Sequence, residues 1–281
     1  MTKIKAAVIG DPISHSLSPK IHNFLLEKHK INGEYEAIHV KKNDLKSFVN
    51  SAKENGFSGF NVTIPHKEEI FKICDYKSKS ALLTGAVNTV AITPDKKIFG
   101  HNSDAEGFAN HLKNSEPNFD LKNKSIFVIG AGGAARALIY ALIKDGAAKI
   151  FITNRSRVRA EELIKNFDAF AAEKKCKLQF LEKEDFAKNL SKCDLLVNSS
   201  SLGMAGQDTL EINLQNLSPQ AIVFDIVYKP LMTDLLKTSQ ARGNKIITGL
   251  GMLIFQALIG FELWFKQKPD EKFIKELFKT L

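Results

Sequence analysis

The chain has 281 residues, with 40 Lys and Arg against 31 Asp and Glu, a net charge of +9, and is long enough for two hydrophobic cores. Its basic residues are scattered (Lys41, Lys53, Lys144, Lys188, Lys275) without a dense run or interleaved aromatics, which argues against nucleic acid as a partner. Cys74, Cys176 and Cys193 lie far apart without metal-ligand spacing, no histidine pair forms a zinc motif, and the first apolar run stops at Gly10-Asp11. Reduced thiols, no metal site, no secretory segment and a cytoplasmic setting are therefore expected.

Ile4 to Ile9 reads as a buried strand. In the segment that follows, Ser18-Pro19 predicts a helix start with a cap and an N1 proline. Ser16 and Ser18 are two residues apart, so extended backbone would point both hydroxyls to one side, where they can hold a carboxylate; a helix cap is the competing role for Ser18. Tyr35 to Val40 is a second strand, and Asn43 is expected to cap a helix running through about Lys53. Phe57 to Val62 is a third strand, ended by Pro65. Asn61 and Thr63 share a side at its C-terminal end, where open α/β sheets bind ligands, and Pro65 redirects the chain so that Lys67 can reach in. A lysine after a proline turn is by itself more often a solvated charge, so Lys67 needs a partner.

Val87 to Ile92 and Lys97 to Phe99 predict a hairpin around Pro94-Asp95-Lys96. Asn88 offers an amide that both donates and accepts toward a polyhydroxylated ligand, or serves as a turn residue. Asp104 is the candidate partner of Lys67; its ordinary role would be to cap the next helix, which carries Phe108 and Leu112 and stops before Pro117. An ammonium beside a carboxylate keeps a defined protonation state and can move a proton at a carbonyl oxygen.

Ser125 to Ile129 is an apolar strand followed by Gly130, Ala131, Gly132, Gly133 and Ala134, and Ala135 to Ile143 continues as a small-residue apolar helix. Strand, glycine turn and helix are what a dinucleotide pyrophosphate needs, since glycine lets backbone approach the phosphates and the helix N-terminus supplies free N–H groups. The next strand, Lys149 to Thr153, ends in Asn154-Arg155-Ser156 where an NAD binder usually places an acid. Arg155 and Arg159 are four apart and suited to a 2'-phosphate, while Ser156 can cap the helix, so the expected cofactor is NADP. Leu178 to Phe180, Asp194 to Val197, Ile222 to Phe224 and Lys245 to Ile247 complete a doubly wound parallel sheet.

Ile246 to Phe265 is apolar enough to suggest a membrane span, but Gly249 and Gly251 break its start and Gln256 and Glu262 interrupt it. A helix of roughly 16 residues covers only about 24 Å, short of a ~30 Å hydrocarbon core, so a buried helix is expected. Asp270 to Phe278 reads as a last amphipathic helix. The fold expected is α/β with two domains: an N-terminal α/β substrate domain, residues 1–104 completed by helices in 250–281, and a Rossmann-like doubly wound NADP-binding domain, residues 105–249.

In their order along the chain, these segments resemble the shikimate dehydrogenase family, together with Asn198 to Met204, Asp225 to Pro230 with Thr233, and Gly249 to Leu253 leading to Gln256. The resemblance runs from Gly10 to Trp264. It implies Lys67 and Asp104 as the catalytic pair, and Ser16, Ser18, Asn61, Thr63, Asn88, Tyr228 and Gln256, with that pair, around the substrate. It implies Gly130 to Ala134, Asn154, Arg155, Ser156, Arg159, Ile226 and Gly249 around NADP. By itself, Gln256 would more often be a hydrogen-bonded core amide. The implied activity is reversible NADPH-dependent reduction of 3-dehydroshikimate to shikimate, in aromatic amino acid biosynthesis, with small molecules as partners and a homodimer left open. A broader quinate/shikimate dehydrogenase and a non-catalytic NADP sensor are the alternatives. Two motifs depart from the family's usual form: Asn-Thr-Asp-Gly is Asn102-Ser103-Asp104-Ala105 here, and Asn-Ala-Thr-Ser is Asn198-Ser199-Ser200-Ser201.

Overall fold

Residues 3–281 are described in a computed structural model. They form two compact units, one of residues up to Gly107 together with Leu253–Leu281, the other of Phe108–Met252.

The first unit holds a six-stranded mixed sheet of β1 (Ile4–Gly10), β2 (Gly33–His39), β3 (Phe57–Val62), β4 (Tyr76–Lys77), β5 (Thr89–Ile92) and β6 (Ile98–His101), in the order β2-β1-β3-β5-β6-β4. β1 pairs in parallel with β2 and β3, while β5 runs antiparallel to both β3 and β6. Ala7, Ile9, Phe60, Val62, Val87 and Val90 lie in its core. The helices α1 (Ser18–Lys28), α2 (Leu45–Glu54), α3 (Lys67–Ile73) and α4 (Lys79–Thr84) connect the strands.

Two expected caps are corrected. Leu17, not Ser18, occupies the cap position of α1; Ser18 is the first helical residue, buried, and its N–H donates to the Ser16 hydroxyl at 3.3 Å. Asn43 lies inside a 3-10 turn, Lys42–Asp44, that leads into α2 and delivers Leu45 to the core, so no Asn43 cap forms. The short elements α3, β4 and α4 are additions to the expected set.

The second unit holds β7 (Ser125–Ile129), β8 (Lys149–Thr153), β9 (Lys177–Phe180), β10 (Leu195–Asn198), β11 (Ile222–Asp225) and β12 (Lys245–Ile247), all parallel, in the order β12-β11-β10-β7-β8-β9. This is the doubly wound order, with its reversal between β7 and β10. β7 and β10 are apolar because helices cover both faces of a parallel sheet. The covering helices are α6 (Gly133–Lys144), α7 (Arg157–Glu173), α8 (Lys183–Asn189) and α9 (Asp234–Ala241). Ser156 caps α7 by accepting from Arg159 N–H, as expected, and Thr233 caps α9 in the same way from Leu236 N–H.

Two helices contribute to both units: α5 (Asp104–Ser115) and α10 (Gly249–Phe265). The apolar length of α10 is consumed by burial, with Leu250 and Met252 in the second unit and Ile254, Ala257, Phe261 and Trp264 in the first. Trp264 Nε1 donates to the Val90 carbonyl at 2.8 Å, and Gly59 lies against both groups with no room for a Cβ. Among the described residues no helix is long and apolar enough to cross a membrane. The chain ends in α11 (Glu271–Thr280).

Candidate active site

Three strand ends in the first unit bring the polar candidates together. β3 ends at Val62, the chain turns through Pro65, and Lys67 opens α3, where its carbonyl accepts from Val87 N–H at 2.9 Å. That bond ties Lys67 to the segment entering β5, one residue before Asn88. Asp104 opens α5 just after β6. Lys67 Nζ donates to Asp104 Oδ2 at 2.6 Å, and Asn88 Nδ2 donates to Asp104 Oδ1 at 2.8 Å. Both carboxylate oxygens are therefore held by side chains from other elements, which goes beyond a capping role. The Lys67 and Asp104 side chains are 25 and 13 % exposed, so the pair is shielded but open at one side. The ammonium has further hydrogens to offer an incoming oxygen.

Asn88 is oriented by backbone: its Oδ1 accepts from Ser103 N–H at 2.7 Å, which leaves the NH2 group facing Asp104. The Ser103 hydroxyl lies 3.4 Å from Gln256 Oε1, and Gln256 Nε2 donates to the Leu253 carbonyl of its own helix at 2.9 Å. The Asn61 amide donates to the Asn88 carbonyl and to Thr89 Oγ1, both at 3.1 Å, and accepts from the Tyr35 hydroxyl at 2.6 Å. Ser18 and Asn61 are buried, whereas Ser16 and Thr63 are partly exposed. Ala105, where the family's usual motif has glycine, is helical and buried, so no positive φ is required there.

The second unit carries the remaining candidates. Gly130 has φ +112°, and a Cβ on it would lie 2.8 Å from Ser199 Oγ, so both conformation and packing demand glycine. Gly132 and Gly133 face open space, with no atom within 4 Å of where a Cβ would sit, directly at the N-terminus of α6. That exposed turn with unsatisfied N–H groups fits a pyrophosphate. Asn154 Nδ2 donates to the Ser156 carbonyl at 2.9 Å, fixing the loop after β8. Arg155 and Arg159 are exposed and, among the described residues, in no ion pair, so their guanidinium groups are available to a phosphate. Ile226 and Gly249 pack backbone to backbone so closely that Gly249 can bear no side chain. Tyr228 belongs to this unit too, and burial raises its phenol pKa.

Asp225 joins the site's supporting residues without having been expected there. It is fully buried at the end of β11 and accepts from Asn198 Nδ2 at 2.9 Å, Val227 N–H at 3.0 Å and the Thr233 hydroxyl at 2.7 Å. Burial raises its pKa, opposed by these three donors. It pins the loop bearing Ile226 and Tyr228 to β10 and to the cap of α9. The signal available in the sequence is an acid ending an apolar strand, with a helix-capping threonine eight residues on.

Three family descriptions match along the chain: a shikimate dehydrogenase substrate-binding domain over residues 8–90, shikimate/quinate 5-dehydrogenase over 112–228, and a shikimate 5'-dehydrogenase C-terminal domain over 249–277. A shikimate dehydrogenase (NADP(+)) from Dinoroseobacter shibae is 42 % identical, over 96 % of both chains. The chain belongs to the shikimate dehydrogenase family. Among solved structures, the shikimate 5-dehydrogenase of Thermus thermophilus, in complex with NADP(H) and shikimate, is 32 % identical with a TM-score of 0.86 over 99 % of each chain. The quinate dehydrogenase of Corynebacterium glutamicum, in complex with NAD, is 29 % identical with a TM-score of 0.90, again over 99 % of each. The shikimate dehydrogenase family thus accounts for both units and for the order of the motifs.

Proposed function

We propose that this chain catalyses the reversible, NADP-dependent interconversion of shikimate and 3-dehydroshikimate, the step expected of it in aromatic amino acid biosynthesis. The observation that carries the assignment is the Lys67–Asp104 ion pair, with Asn88 on the second carboxylate oxygen. NADPH supplies the hydride when the ketone is reduced. In reduction Lys67 gives a proton to the oxygen that becomes the hydroxyl and is reprotonated from solvent; in oxidation the neutral Lys67 amine takes the hydroxyl's proton and passes it to solvent. Asp104 holds the ammonium in place and accepts from a neighbouring substrate hydroxyl. Ser16, Ser18, Asn61, Thr63, Asn88, Tyr228 and Gln256 bind the substrate's carboxylate and hydroxyls.

Gly130, Ala131, Gly132, Gly133 and Ala134 hold the pyrophosphate, Asn154, Arg155, Ser156 and Arg159 the 2'-phosphate end, and Ile226 and Gly249 complete the coenzyme site. The three cysteines are free and buried, which suits a cytoplasmic enzyme.

Turnover followed by the absorbance of reduced nicotinamide, with shikimate or quinate and with NADP+ or NAD+, tests the reading. Shikimate with NADP+ should give the highest kcat/KM; equal values with quinate would make the broader quinate/shikimate activity the function. Lys67→Ala should lower kcat by about 10²- to 10⁴-fold with a much smaller change in KM. A variant with near-normal kcat would remove Lys67 from the chemistry.

A further inference from the structure

Behind the substrate-side residues of the first unit lies a buried layer centred on Tyr35, in β2. Tyr35 is 3 % exposed, and its ring stacks on His22 with centroids 4.0 Å apart and lies 5.8 Å from the Trp264 ring. Clamped in this way, its hydroxyl cannot swing. It donates to Asn61 Oδ1 at 2.6 Å.

The direction of this bond is forced. Asn61 Nδ2 is committed to the Asn88 carbonyl and to Thr89 Oγ1, so its Oδ1 is left as a pure acceptor and Tyr35 must donate. Burial raises the Tyr35 pKa well above its usual value, so the donor keeps its proton. From Asn61 the bonds run on to Thr89 Oγ1, which lies 3.1 Å from Asn88 Oδ1, and from the Asn88 amide to Asp104 Oδ1.

We infer that Tyr35 is a positioning residue of this active site: its hydroxyl sets the orientation of the Asn61 amide and, through Thr89 and Asn88, of the Asp104 carboxylate. The inference rests on the shikimate reading above and adds to it a residue that touches neither substrate nor coenzyme. Tyr35→Phe keeps the ring and its stacking but leaves Asn61 Oδ1 without its donor.

The test compares the kinetics of wild type, Tyr35→Phe, Asn61→Ala and the double variant. Tyr35→Phe should raise the KM for shikimate about tenfold, or lower kcat by as much, while the KM for NADP+ stays within about twofold. In the double variant the Tyr35 change should add almost nothing to Asn61→Ala, because one acts through the other. Unchanged shikimate kinetics, an equal shift in both KM values, or additive losses would overturn the inference.

Should Tyr35→Phe not fold, the wild-type chain is grown with 3-fluorotyrosine. With four tyrosines in the chain, the Tyr35 signal is assigned by replacing Tyr76, Tyr140 and Tyr228 in turn. That signal should move on adding shikimate alone and not NADP+ alone; no movement with shikimate overturns the inference. Failure of the functional reading looks different, since wild type would then neither bind nor oxidise shikimate.

Discussion

Arg155, Arg157 and Arg159 lie within five residues, yet among the described residues only the Arg157 guanidinium is in an ion pair. Arg157 donates to Glu161 at 2.8 Å and to Glu182 at 3.3 Å, and its guanidinium lies 5.5 Å from the Phe180 ring centroid. Arg155 and Arg159 are exposed with no acidic partner among the described residues. The loop beneath them is nonetheless fixed, by the Asn154 amide on the Ser156 carbonyl and the Ser156 hydroxyl on Arg159 N–H. A fixed loop with two unengaged guanidinium groups suits a phosphate better than a bare ribose hydroxyl. Arg155→Asp should therefore lower kcat/KM with NADPH and raise the NADH to NADPH ratio of kcat/KM by at least about tenfold, since the new carboxylate repels the phosphate and can accept from a free hydroxyl. An unchanged ratio would mean that Arg155 does not face the coenzyme. At this scale sequence spacing is enough to nominate the arginines as candidates. It is not enough for Lys67 and Asp104, whose 37-residue separation becomes a 2.6 Å contact only once β3, β5 and β6 pair.

Between β7 and α6 the glycines differ in what they are for. Gly130 needs its φ of +112° and the space beside Ser199, whereas Gly132 has ordinary backbone at the α6 cap position and empties onto open space. Gly130→Ala should consequently lose about 1–3 kcal/mol of stability, read as a fall in Tm, along with coenzyme binding. Gly132→Ala should keep its Tm while the KM for NADP+ rises, because its methyl enters only the volume left for the ligand. If both variants kept normal coenzyme kinetics, the turn would not be the phosphate site.

In the second unit β7, β8 and β12 have the bounds their sequence suggests because each is dominated by apolar residues, and in the first unit β3 does too, bounded by Gly56 and the Pro65 turn. The elements that the sequence pattern does not reveal have another physics. α3 spans seven residues with Ile70 as its fully buried member, and α4 spans six and stops at Gly85 with φ +66°. Helices of that length show no apolar period and owe their existence to tertiary contacts. Tertiary packing likewise decides the entry to α1 at Leu17 and the 3-10 turn around Asn43, where a standard side-chain cap is the local expectation.

For the molecule as a whole, sequence pattern indicates two α/β bodies but not which buried polar groups each has to carry through folding. His22 is the most exacting of these. It is fully buried against Tyr35, Phe261 and Trp264, and desolvation pushes its pKa down to about 3, against a smaller opposing contribution from Asn61. Between the ordinary value of 6.5 and about 3 the unfolded chain binds a proton that the native chain does not. Native stability from this group is thus complete above pH 6.5 and is lost as the pH falls through that window. From pH 7 to pH 5 the loss amounts to about 2 kcal/mol. Trp264, the chain's one tryptophan, lies 5.4 Å from His22 by ring centroids, so its fluorescence reports on the unit concerned. Urea unfolding followed by that fluorescence should show wild type weakening between pH 7 and pH 5, and His22→Phe weakening by about 2 kcal/mol less over the same interval. Comparing the two pH values within each variant cancels any packing cost of the larger ring, so equal losses in both would show that another group carries the acid sensitivity.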